Sequence, residues 1–352
     1  MSKYNETQTE ERFRNKITIV SYILAVFVVY IHGNNTTTYT FSQNNPFDNF
    51  VFWFEDWCQG WQHVSVPLFY IISGFLFFRN YSQNMFQKKM KTRVKSLLIP
   101  YIVWNLVPWL LLLTVGLLPI AKSIGIHTDI SLKSLYECFV LCKYSVLWYI
   151  RNLIIFVVLT PLIYQLMSKK KYGVCAIGLA VAFNFLWLAF VGNKTAILYW
   201  LPFYLTGSWL GCNNRDWFVE RANRKTRIIS TIGLFGCMIW AMFPQYVLFN
   251  YVGEYAYRVA IPLLFWFAMD IFDFHKATKW FLTLSFPIYC VHDILSSFVE
   301  KVILIYLGND IHIAFASYLL TPAVVITMIT LICYIGKKYL PMVYSVVFGM
   351  RG

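Results

Sequence analysis

Charge is what this chain has least of. Asp, Glu, Lys and Arg make up 13% of its 352 residues, against about 25% in an ordinary soluble domain. That shortage excludes a water-soluble globule, and the mean hydropathy of +0.56 agrees. Acidic residues are scarcer than basic ones, 16 against 30, which leaves a net charge of +14. Such a surplus can point to nucleic acid. Here the basic residues fall in short clusters between apolar runs and no nucleic-acid motif is present, so no nucleic-acid partner is expected. The eight cysteines are scattered, mostly inside apolar runs, with no CxxC and no His/Cys cluster. Small hydrophobes in helices explain them better than a disulfide framework, and no metal is expected. There is no GxSxG, so Ser73 in PLFYIISGFLFF is given no nucleophilic role. Internal repeats and low-complexity stretches are missing too. The polar, mixed-charge start from Met1 to Lys16 lacks a small-residue cleavage site, so the first apolar segment is expected to stay.

What the chain has is apolar length. Hydrophobic residues reach 59% and aromatic ones 19%, with the Trp and Tyr that suit membrane interfaces. A spanning helix needs about 20 mostly apolar residues. Ten segments come near that: 17–33, 64–79, 96–118, 146–167, 173–191, 196–212, 228–249, 258–273, 280–305 and 313–336. The expected fold is therefore an all-α polytopic membrane protein, a bundle of about ten transmembrane helices read as one domain over residues 1–352. Basic clusters around Arg12–Lys16, Lys88–Lys95, Lys169–Lys171, Arg215–Arg227 and Lys337–Lys338 fall in alternate loops. The opposite loops hold little beyond Lys122, Lys133, Lys143 and Lys194. The positive-inside rule then puts both termini in the cytoplasm, and an even helix count agrees.

Few polar groups interrupt the apolar runs, and each is costly to place there. His32 closes the first run, KITIVSYILAVFVVYIHGNN. It is either the point where a helix meets headgroups or a functional imidazole at the rim of the bilayer. Arg151, in LWYIRNLIIFVVLTPLIY, either snorkels to the outer surface or is a fixed cation for an anion or carbonyl oxygen. Trp148 and Asn152 add donors beside it. His292 and Asp293 sit mid-helix in SFPIYCVHDILSSF and point about 100° apart, so they do not face each other. They form a buried structural pair or a polar cavity wall. Arg93 and Lys95 lead into SLLIPYIVWNL, which carries Tyr101. This cluster sets topology against lipid phosphates, or grips the phosphates of a nucleotide-like donor. The first outer loop, Gly33 to Gln62, holds Asp48, Glu55 and Asp56 among aromatics and amides, with no Lys or Arg. It suits an interfacial segment, a sugar-binding surface, or both. The glycosylation triplets at Asn34, Asn35 and Asn193 are weak signals.

Taken in order, these segments resemble the acyltransferase-3 family of integral membrane O-acyltransferases. The helix ending in His32 looks like the family's first helix, and VPLFYIISGFLFF, RVKSLLIPYIVWN, LWYIRNLIIFVVLTPLIY, LPFYLTGSWLG and FPIYCVHDIL resemble its later motifs. The likeness spans nearly the whole chain. It implies transfer of an acyl group, acetyl in the usual case, from cytoplasmic acetyl-CoA to a hydroxyl of a cell-envelope glycan outside. The family's essential first-helix histidine maps onto His32, and Arg93 and Arg151 match basic positions of later motifs. Ser21 stands where many members carry an arginine.

On this reading His32 is the general base and Arg151 steadies charge on the thioester oxygen. Arg93, Lys95 and Tyr101 hold the donor; Trp148, Asn152, Glu55 and His292 meet the acceptor. Acylation of His32 itself stays open as a second route. The partners are acyl-CoA, the glycan and the lipid bilayer of a bacterial cytoplasmic membrane, and a homo-oligomer is left open. The rival is a transporter or flippase of lipid-linked sugars, against which the lack of two related halves counts mildly.

Overall fold

The computed structural model describes residues 3–33, 39, 45–116, 130–192, 194, 197–243, 251–275 and 278–349. Asn34, Asn35 and Asn193 lie outside the described residues. Helix α1 (Lys3–His32) leads into α2 (Pro46–Gln62) and α3 (Ser65–Phe78). Next come α4 (Phe86–Arg93), a π-helical turn over Val94–Leu98, and α5 (Ile99–Gly116). Short α6 (Leu132–Phe139) precedes α7 (Trp148–Val158), α8 (Thr160–Met167) and α9 (Lys170–Val191). Then α10 (Leu201–Asn213), α11 (Arg215–Val219), α12 (Arg224–Ala241) and α13 (Tyr251–Ala268) follow. The chain closes with α14 (Ser285–Leu307), α15 (Ile311–Tyr339) and α16 (Pro341–Val347).

The expectation of ten spans is corrected by these lengths and charges. Among the described residues, five helices are long and apolar enough to cross a membrane, or six if α7 and α8, bent by 69°, form one broken span. The five are Thr7–His32, Pro46–Phe78, Gln83–Gly116, Lys170–Val191 and Ile311–Tyr339. The rest fall short for physical reasons. Segment 64–79 is no span of its own, because it continues the helical run that starts at Pro46. Helix α10 has 13 residues. Helix α12 opens with Arg224, Lys225 and Arg227, α13 carries Glu254 and Arg258, and α14 carries Asp293, Glu300 and Lys301. The even-count argument for the termini falls with the count. The chain remains an all-α, multi-pass membrane protein.

Local chemistry sets several boundaries. The α2 segment lies inside what reads as a loop. Asn45 caps it by accepting from the Phe47 amide at 3.0 Å, and Pro46 supplies the preset first turn. The π turn before α5 follows from Pro100, which has no N–H and crowds the carbonyl four residues back. The ladder shifts, and the Ile99 amide bonds Val94, five residues back.

Helices α3 and α10 form the centre. Gly207 packs so closely that a Cβ there would overlap the Ile71 carbonyl, and Gly74 meets the Tyr204 carbonyl in the same way. Small residues permit that approach where lipid gives helices no hydrophobic push together. Near the start of α1, buried Arg12 and Lys16 both pair with buried Asp270, Lys16 at 2.9 Å. The Lys16 ammonium also lies 3.8 Å above the Trp266 ring. Breaking such a buried group by removing its carboxylate costs about 3–5 kcal/mol. The cluster therefore fixes α1 against α11 and α13.

Candidate active site

His32 ends α1, and α14 brings two groups to it. The His292 ring centroid lies 5.0 Å from that of His32. Asp293 Oδ1 lies 3.9 Å from His32 Nδ1, with both side chains about one-third exposed. His292 is fully buried. Its Nδ1 contacts the carbonyl oxygens of Tyr289 at 2.9 Å and Ile288 at 3.1 Å. A carbonyl only accepts, so Nδ1 carries the proton and Nε2 is a bare acceptor. That buried Nε2 has no hydrogen-bond partner among the described residues. Asp293 was legible only as half of a His–Asp dipeptide. Its role as His32's neighbour depends on a contact between α1 and α14.

Below this group lies a cavity of about 310 Å³ between α1, α3, α7, α10 and α14. Ile17 and Ser21 line it on α1, Phe69 and Ser73 on α3, Tyr149 on α7, and Tyr289 on α14. Arg93 and Leu97, on either side of the π turn's start, close another side. Its wall is mostly hydrocarbon. The polar contributions include the Arg93 guanidinium and the Ser73 and Tyr149 hydroxyls, which lie 2.9 Å apart. No acidic side chain pairs with Arg93 among the described residues. The cavity ends at Tyr149 and Tyr289, whose rings are 5.7 Å apart. From Tyr289 it is 6.1 Å to the His292 ring, and His32 follows. His32 itself does not line the cavity.

The other expected site residues lie elsewhere. Arg151 gives one donor to the Val140 carbonyl at 2.6 Å and two to Asn152 Oδ1 at 3.2 and 3.3 Å. Nothing among the described residues joins it to His32. Buried Asn152 acts as its receiver. Tyr101 donates to the Phe139 carbonyl and lies 3.2 Å from Cys142 Sγ, so it pins the same loop. Outside the spans, Lys143 and Tyr144 hydrogen-bond the Glu137 carboxylate at 2.7 and 2.9 Å and hold it below the usual carboxylate range. Lys95 is exposed on the π turn, away from the cavity. Trp148 packs on Trp200 at 5.3 Å. Glu55 is fully buried on α2, in the neighbourhood of Cys58 and Tyr318.

The cavity holds the Arg93 cation, and two imidazoles and a carboxylate lie beyond its Tyr289 end. The chain belongs to the acyltransferase-3 family, whose profile, described as an acyltransferase domain, matches residues 16–337. No curated protein and no solved structure matches it. The protein is thus a membrane acyltransferase.

Proposed function

We propose that the protein transfers a short acyl group, acetyl first among them, from cytoplasmic acyl-CoA to a hydroxyl of a cell-envelope glycan across the membrane. The observation that supports this best is the grouping of His32 with His292 and Asp293 beyond the Tyr289 end of the Arg93-lined cavity. Arg93 binds a phosphate of the donor. The acyl-pantetheine arm lies along the apolar wall toward Tyr289. Its thioester must pass the Tyr289–His292 pair to reach His32.

Asp293 favours the His32 tautomer with the proton on Nδ1, which leaves Nε2 free as the base. The acceptor hydroxyl gives its proton to Nε2 while its oxygen bonds to the thioester carbon. The carbon–sulfur bond then breaks, and the thiolate leaves with the proton held by His32. The oxyanion role expected of Arg151 would require that side chain to leave Val140 and Asn152. The Ser73 and Tyr149 hydroxyls line the cavity short of the Tyr289–His292 pair, on the thioester's way to His32.

His32→Ala, assayed in membranes with radiolabelled acetyl-CoA, should lose transfer yet keep its thermal stabilisation by coenzyme A. Full transfer by that variant would reject His32 as the base. A flippase of lipid-linked sugars would ignore coenzyme A altogether.

A further inference from the structure

Three carboxylates in this bundle have two cations each. Asp270 has Arg12 and Lys16, Glu254 has Lys194 and Arg258, and Glu10 has Arg79 and Arg215. Asp293 and Glu300 differ from these three. Among the described residues neither pairs with a Lys or Arg, and Asp293 has only His32 beside it. The two are close enough for their charges to interact. Tyr39 feels both Glu300 and Glu55, which brings a third carboxylate into the same region.

A second observation is independent of charge. Ser296 stands four residues after His292 and four before Glu300, on one stripe of α14. A hydroxyl inside a helix ordinarily bonds the carbonyl four residues back. Thr206, Ser208, Thr231, Thr327 and Thr330 all do so here. Ser296 does not. Its residue is 2% exposed, and its Oγ has no partner among the described residues. His292 Nε2, one turn away, is equally buried and equally bare. Two orphaned polar atoms in a row, beside two uncompensated carboxylates and the candidate base, are a surface built for hydroxyl groups that the protein does not itself supply.

We propose that this face of α14 is the acceptor subsite and that it selects a sugar without negative charge, a neutral hexose or an amino sugar, over a uronic or sialic acid. The inference rests on the acyl-transfer reading above. Carboxylates and a bare imidazole nitrogen accept hydrogen bonds from sugar hydroxyls, and Ser296 can give or accept one. An acidic sugar would bring a further negative charge beside two carboxylates that pair with no Lys or Arg among the described residues.

The test compares envelope glycans of cells with and without the protein by mass spectrometry and identifies the sugar that carries the protein-dependent acyl group. A neutral or amino sugar supports the proposal. A uronic or sialic acid overturns it and leaves the transfer reaction standing. No protein-dependent acyl group at all overturns both. In the same cells Glu300→Gln should lower glycan acylation about tenfold while stabilisation by coenzyme A is unchanged, a split that a structural role would not give. Unaltered acylation in Glu300→Gln overturns the subsite. If Glu300→Gln fails to accumulate, Ser296→Ala takes its place, with a loss of about threefold or more expected and an unchanged yield again decisive against it.

Discussion

The two ends of the path from Arg93 to His32 are made of opposite materials. At the Arg93 end the wall is hydrocarbon from Ile72, Leu76, Leu153 and Phe286, with one unpaired cation. At the His32 end the surroundings are imidazole, carboxylate and hydroxyl, with buried polar atoms left open. A dry slot with a cation suits a long apolar arm that ends in phosphates. A polar, acidic corner suits hydroxyl groups and proton transfer. On the proposed reaction, donor and acceptor need not share a binding surface, only the stretch from Tyr289 through His292 to His32, whose ring centroids are 6.1 and 5.0 Å apart in turn.

That contrast can be broken by substitution. His32→Ala should have the largest effect, lowering transfer roughly 10²- to 10⁴-fold, the usual worth of a positioned base. Arg93→Ala should raise the KM for acetyl-CoA roughly 10- to 100-fold, since a charge-assisted bond is worth about 1.5–3 kcal/mol. Its kcat should change little, and the reverse split in steady-state kinetics would move Arg93 out of the donor half. Asp293→Asn should lower kcat about tenfold with the acetyl-CoA KM unchanged, as expected for a group that orients a base. A change in that KM would mean the two halves are not separate. Arg151→Ala should alter either constant by less than about threefold and show itself as a lower melting temperature, because its partners are Val140 and Asn152. A collapse of kcat would return Arg151 to the reacting centre.

Much of the plan was legible in the sequence where apolar runs are long and unbroken. The segments 173–191 and 313–336 fall within α9 and α15, and 17–33 overruns the end of α1 by one residue. What failed was the reading of charge. Arg12 and Lys16 look like loop residues, yet they are buried helical positions that Asp270 reaches from far along the chain, 258 positions away in the case of Arg12. No local pattern carries that pairing. Likewise the stretch after Gly33 is too polar to suggest a long helix, but Asn45 and Pro46 start one, and its apolar side packs within the bundle.

For the candidate site, the position of His32 at the end of an apolar run marks it in the sequence as either a headgroup contact or a functional imidazole. The 100° angle between His292 and Asp293 was read correctly as preventing a mutual pair. What it also allows is for both to flank a ring from another helix, and only the packing of α1 on α14 reveals that ring to be His32. Arg93 was legible as a cation at a helix mouth. The π turn that follows it was not, although Pro100 is its cause.

Helix α1 is fastened at Lys16 and carries the proposed base, His32, sixteen residues on. At 1.5 Å per residue that is a rod of about 24 Å. Residue count along one uninterrupted helix therefore acts as a gauge that sets how far the imidazole stands from the basic rim. One residue inserted within the rod would swing the ring by about 100° and lift it by about 1.5 Å, off Asp293 altogether.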